Sequence, residues 1–111
     1  MKPTLGRIVL YKSKIDNGAG NDVLSPAIVI RTCDTTVAAV TERWGPEPRT
    51  VASASDPSVT HETTGRPADF VAELPDDNTV DLLVFGLGKS YREYAVPMGE
   101  DRGSWHWPPR V

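Results

Sequence analysis

PAIVIRT, Pro26–Thr32, is a short apolar run closed by a charge, and its reading decides the fold class. Branched aliphatic side chains pack well on a pleated surface, and four to eight of them in a row match a strand buried on both faces. The stretch predicts a central strand. Working outward, LGRIVLYK (Leu5–Lys12) and TVDLLVFG (Thr79–Gly86) carry the same enrichment, and YREYAVP (Tyr91–Pro97) alternates as a half-buried strand does. TVAAVTERW, Thr36–Trp44, is a weaker fifth candidate. Turn-forming residues bound these runs: Asn17-Gly18 and Gly20-Asn21-Asp22 after the first, Asp76-Asp77-Asn78 before TVDLLVFG, Gly86 and Gly88 after it. Short strands punctuated by Gly and Pro predict an all-β fold, a small barrel for which an SH3-like form is one solution.

The 111 residues are expected to form one domain with one core. A hydrophobic content of 39% is that of a globular chain. Twelve Lys and Arg stand against fifteen Asp and Glu, for a net charge of −3, and the basic residues are scattered. That balance disfavours broad nucleic-acid binding, which needs many phosphates neutralised, but leaves room for a small anionic ligand in a local pocket. Cys33 is the single cysteine, so no internal disulfide can form, and a buried, small apolar role is expected for it. MKPTLGRIVLYKSK has no apolar stretch of signal-peptide length, and no run reaches the ~20 apolar residues that span a bilayer. The expectation is a soluble protein with no membrane contact.

From about residue 45 to 77 the composition shifts to Pro, Ser, Thr and Ala without sustained periodicity. This reads as a long irregular excursion, of the kind that is either functional or disordered. Within it, PADFVAEL (Pro67–Leu74) suits a single helical turn, with Pro67 at a first helical position and Phe70, Val71 and Leu74 on one face.

The usual catalytic signatures are missing: no GxGxxG, phosphate loop, GxSxG or metal-spaced cysteine pair occurs. His61 lies among Ser, Thr and Pro and reads as a solvated loop residue. Asp76 and Asp77 beside Asn78 are better explained by a turn than by acid–base pairing. The expectation is a protein with no catalytic residues, no metal and no cofactor.

The last nine residues, GSWHWPPRV (Gly103–Val111), hold two of the three tryptophans. Chain ends are usually polar and loosely held, so such a tail is written to be ordered. Strand alternation puts Trp105 and Trp107 on one face and His106 on the other, while Pro108 and Pro109 forbid further ladder pairing. In one reading the indoles close the barrel end. In the other, His106 or an indole lines a pocket with Arg110, where a planar ring stacks and a phosphate pairs with guanidinium. Tyr91 and Arg92, with Lys89 nearby, supply a second aromatic and cationic group, or else an exposed strand edge. The candidate ligand-binding residues are therefore Tyr91, Arg92, Trp105, His106, Trp107 and Arg110.

The sequence of GRIVLY near the start, PAIVI, VDLLVF and YAVPMGE further on, and GSWHWPPRV at the end resembles a family of small phage-encoded proteins of largely unknown function. Its members commonly open with Gly-x-x-Val-x-Tyr and finish in a Gly-Thr-Trp-His-Trp-Pro-Glu-like tail. Ser104 stands where Thr is common, and Pro109 where Glu is common, so a role for that acidic position does not carry over. The resemblance implies phage origin and two roles. One is a non-enzymatic, homo-oligomeric sponge that binds a nucleotide-like immune signal, such as a cyclic dinucleotide or an ADP-ribose derivative, in the cytoplasm of the infected bacterial host. The other is a virion structural protein, such as a capsid decoration protein.

Overall fold

The computed structural model describes residues 2–47, 49–63 and 65–109. The chain divides into two compact units, one made of Met1–Asp34 with Val71–Val111, the other of Thr35–Phe70.

The first unit is an antiparallel sheet built from β1 (Ile8–Lys12), β2 (Leu24–Arg31), β5 (Val80–Phe85), β6 (Ser90–Val96) and β7 (Trp105–His106), in the order β6-β5-β2-β1-β7. Alternation along these strands gives the sheet an inner face. Val9 and Tyr11 of β1, Ala27 and Val29 of β2, Val80, Leu82 and Val84 of β5, Val96 and Trp105 form one buried cluster. Register ties the rows together: Ala27 faces Val9 on one side and Val84 on the other, and Tyr11 faces Trp105. Burying each large apolar side chain contributes about 1.5–3 kcal/mol, so this cluster dominates the unit's stability.

The β1–β2 connection is organised by local side-chain bonds. Asp16 Oδ1 accepts from the Gly18 amide at 2.8 Å and Asn17 Oδ1 from the Ala19 amide at 2.9 Å, which is why Asn and Asp alternate with Gly there. Asp22 at the loop's end pairs with Arg102 at 2.8 Å, tying the loop to the turn before β7. That turn ends at Gly103, whose φ of +86° favours glycine. Its amide donates to the Lys12 carbonyl at 2.7 Å and so delivers the tail to β1.

The expected barrel is corrected to an open, curled sheet. Beyond β6 the chain touches β7 through one parallel bridge, Met98 to Trp105, with Trp105 N–H donating to Pro97 O at 3.0 Å and Gly99 N–H to Trp105 O at 2.9 Å. Closure stops there because β7 is two residues long and is followed, after Trp107, by Pro108 and Pro109, which have no N–H for a ladder. The fold is mostly β, with antiparallel sheets and one short helix.

Two irregularities meet at Asp81. Register shifts between Val29 and Arg31 on β2 and between Val80 and Leu82 on β5. Ala95 on β6 has φ +50°, the left-handed region, and its amide donates to Asp81 Oδ1 at 2.8 Å. Arg31 donates to Asp81 Oδ2 at 3.1 Å, and also to the carbonyls of Val71 and Ala72, both at 2.6 Å. Asp81 is fully buried and Arg31 nearly so. The bulges turn an ion pair into the sheet's interior, where each charge is matched.

The second unit corrects the fifth strand candidate. Val37–Trp44 is a helix, α1, capped by Thr36, whose Oγ1 accepts from the Ala39 amide at 3.2 Å. Its buried residues are Val40 and Trp44, four apart on one face, and Ala38, Ala39, Glu42 and Arg43, good helix formers, stand among the rest with Val37 and Thr41. Gly45 ends it with φ +92°, its amide donating to Thr41 O at 3.0 Å. A Cβ there would lie 2.7 Å from the Gly65 backbone, so only glycine fits. Two short strands follow, β3 (Arg49–Ala52) and β4 (Thr60–Thr63), as an antiparallel ribbon in the stretch read as irregular. The helical turn expected over Pro67–Leu74 is corrected to a four-residue turn, Pro67–Phe70, closed by Phe70 N–H to Pro67 O at 3.0 Å with no helix beyond it, and the Phe70 ring meets Trp44 at 6.0 Å between centroids.

Candidate functional site

The tail residues divide by face. Trp105 is fully buried, its indole N–H donating to Asn78 O at 2.8 Å. It is therefore core and offers no ring face to a ligand. Trp107 packs edge-on against it, with centroids 5.2 Å apart and rings at 89°, the T-shaped geometry that suits the aromatic quadrupole. Trp107 is only partly buried, and the Arg7 guanidinium lies 5.3 Å from its ring centroid, within cation–π range. His106 faces Leu10 on the sheet's other side and is partly buried. Among the described residues, neither Trp107 Nε1 nor His106 Nδ1 has a hydrogen-bond partner, although both atoms are buried. Two consecutive side chains thus hold polar ring atoms unused by the fold.

The second group lies at the opposite edge in strand order. Tyr91 on β6 faces Val84 and packs partly buried against the core, while Arg92 faces Leu83 and is exposed. Consecutive residues on a strand point to opposite faces, so Tyr91 and Arg92 do not act on one pocket together. Lys89 is exposed in the turn before β6. Arg110 lies outside the described residues.

Three residues were missed from sequence. Arg7 belongs beside Trp107, and the parity of Arg7, Val9 and Tyr11 with Trp105 and Trp107 would have found it, given the β1–β7 pairing. Tyr11 is buried with an unpartnered hydroxyl, and burial first, then the charges of Glu93 and Tyr91, push its pKa up to about 12. Glu93 faces Leu82 from β6 and pairs with Lys14 at 3.7 Å. Tyr91's hydroxyl is also raised, by burial and then by Glu93.

Elsewhere, the expected buried role of Cys33 is corrected: the residue is exposed, because it sits past the end of β2. Its thiol donates to Asp77 Oδ1 at 3.0 Å, and Lys2 pairs with Asp34 and with Asp77 beside it. The hydrogen bond to Asp77, followed by desolvation, pushes the thiol's pKa up to about 11. Asp76 forms a turn, its Oδ1 accepting from the Asn78 amide and the Thr79 hydroxyl, both at 2.9 Å. His61 is exposed on β4.

The sheet's outer face carries an apolar stripe beside Lys12, Arg92 and His106. Ile8, Leu24 and Phe85 are exposed on it, with Leu10, Ile28 and Leu83 half-buried between them. No helix among the described residues is long and apolar enough to cross a membrane. Comparison with known proteins found no family model, no curated protein and no solved structure that matches the chain.

Proposed function

We propose that the chain is a non-enzymatic phage protein that binds and sequesters a nucleotide-like immune signalling molecule in the infected host cell, as a homo-oligomer. The observation that carries this reading is the Arg7–Trp107 pair: a half-buried indole with a guanidinium 5.3 Å from its ring centroid. An aromatic face takes a base and a guanidinium takes a phosphate, and neither step makes or breaks a bond. Of the residues read from sequence, Trp107 serves this role, with Arg7 as its cation, whereas His106 lies on the sheet's other face. Trp105 stands behind Trp107 as support. We read the scaffold as a small SH3-like barrel left open.

The test is binding of cyclic dinucleotides and ADP-ribose isomers by thermal shift and calorimetry. A base stacked on an aromatic ring is worth about 1–3 kcal/mol, so Trp107→Ala should weaken capture about 5-fold to 150-fold. Arg7→Ala should weaken it in a salt-dependent way, and Arg7→Lys should restore only part. The ligand should be recovered intact after heat denaturation. Recovery of a cleaved nucleotide would make the protein an enzyme instead.

The second reading, a virion structural protein, is favoured by the exposed apolar residues on the outer face of the sheet, Ile8, Leu24 and Phe85, since exposed apolar patches serve neighbours rather than small ligands. Detection in purified virions, without nucleotide binding, would select it.

A further inference from the structure

At the edge of the core in the first unit lies a cluster whose polar atoms serve neither the core packing nor the Trp107 group. Tyr11 is 1% exposed, and its hydroxyl has no hydrogen-bond partner among the described residues. Buried polar groups are rarely left so, and what normally satisfies them is an ordered water or a ligand. Tyr11 stands on the inner face, opposite Ser25 and Trp105. From β6, Tyr91 and Glu93 reach the same face, opposite Val84 and Leu82. In a flat sheet β1 and β6 would be kept apart by β2 and β5. The curl brings them together: Lys14, just past β1, has its ammonium 3.7 Å from the Glu93 carboxylate. The negative charge of Glu93 acts on the Tyr11 hydroxyl, which supports the same convergence. Gly86 leaves room for the Tyr91 ring, since a Cβ there would crowd Tyr91 Cε1 at 3.2 Å.

We propose that Glu93, Lys14, Tyr11 and Tyr91 form a base-recognition site selective for guanine. The proposal rests on the nucleotide-capture reading and names its substrate class. A carboxylate offers two acceptor oxygens side by side, with no donor. Guanine presents two adjacent donors, N1–H and the N2 amino group, next to the O6 acceptor. Glu93 takes the donors, and Lys14 or the Tyr11 hydroxyl donates to O6. Adenine and cytosine put a ring acceptor beside their amino group, which the carboxylate repels, and uracil offers one N–H between two carbonyls. Reading a base by its pairing edge while an aromatic ring covers its face is a recurrent mode, and Tyr91 supplies the ring. Lys14 already balances Glu93, so a bare cation finds no unmatched charge here. Glu93 turns a free anion away.

The experiment is calorimetric titration of the full chain with GMP, AMP and IMP, which lacks the N2 amino group, alongside Glu93→Gln and Tyr11→Phe. Glu93 has a side chain 26% exposed, so Glu93→Gln should fold, and an unchanged melting temperature checks it. A well-made two-point base contact discriminates by about 5-fold to 150-fold. GMP should exceed both AMP and IMP by that factor, Glu93→Gln should bring GMP down to the AMP level while leaving AMP unchanged, and Tyr11→Phe should weaken GMP several-fold. Equal affinity for GMP and AMP overturns guanine selectivity while nucleotide capture stands, as does a GMP preference that survives Glu93→Gln. If no mononucleotide, cyclic dinucleotide or ADP-ribose isomer binds, and a crystal structure finds only an ordered water at the Tyr11 hydroxyl, both readings fall.

Discussion

Replacing Arg31 with methionine removes a guanidinium that is 4% exposed and leaves the Asp81 carboxylate, fully buried, with one remaining partner, the Ala95 amide at 2.8 Å. Two carbonyls, those of Val71 and Ala72, lose their donor in the same step. Stripping one member from a buried ion pair costs about 3–5 kcal/mol, because the charge left behind is uncompensated. A domain of this size has about 5–15 kcal/mol to lose, so the variant should unfold at far lower urea with an unchanged m-value. Arg31→Met with Asp81→Leu should cost less than the two single changes added together, since no charge is then stranded. The Ala95 amide, held at a left-handed φ, still loses its acceptor, so the double variant should remain below wild type. The cycle should return a coupling of about 2 kcal/mol or more. Burial already raises the Asp81 pKa, against the Ala95 amide and Arg31, which both lower it. Without Arg31 it rises further, so the folded variant favours the protonated acid. Its deficit should therefore shrink as pH falls towards that pKa and be greatest well above it. Urea melts of the four proteins across pH 4 to 8, roughly the range in which a raised carboxyl titrates, decide the matter. Additive costs, or a single-variant loss below about 1 kcal/mol, would refute the reasoning.

Two other outcomes follow from the same kind of accounting. Tyr11→Phe should leave stability at neutral pH unchanged or higher, because it deletes a buried hydroxyl that has no partner. Wild type should lose about 2 kcal/mol relative to that variant as pH rises from 10 to about 12, since the unfolded tyrosine ionises before the folded one; parallel alkaline melts would contradict it. Cys33, exposed yet held up to about 11 by Asp77, should be alkylated at pH 8 about 100-fold more slowly than a thiol of ordinary pKa 9, and Asp77→Asn should restore much of that rate. A rate matching that of a free thiol would place the thiol proton elsewhere.

The sheet was legible in the sequence because its strands bury whole runs. PAIVIR and VDLLVF could hardly be anything else, and Leu24–Arg31 and Val80–Phe85 are where they were expected. Helix α1 was misread because Val37, Val40 and Thr41 suggest a strand, whereas the Thr36 cap and the spacing of Val40 and Trp44 carried the helical signal. The β3–β4 ribbon gave no apolar periodicity, since almost all of its described side chains are exposed or half-exposed. In the candidate site, the tail was visible as unusual residues, but which indole is core depends on Tyr11 facing Trp105. Arg7 meets Trp107 through the pairing of β1 with β7, which joins the two ends of the chain, and Lys14 meets Glu93 through the curl of the sheet. No local pattern in a sequence encodes a meeting between strands so far apart. The same holds for Arg31 and Asp81, which meet only because two bulges shift the register.

β2 and β5 are neighbours in the sheet, yet the chain between them carries a whole second unit, Thr35–Phe70. The point of re-entry is held by Arg31, three residues before the exit at Asp34, which binds the carbonyls of Val71 and Ala72. The sheet thus works as a socket: its strand pairing is fixed on the near side of the exit and again on the far side of the return. Lengthening a tethered segment adds closure entropy only with the logarithm of its length. The inserted module can therefore be exchanged, shortened or extended while the socket keeps its register, which makes the Asp34/Val71 junction the natural place to graft a reporter or a foreign recognition element.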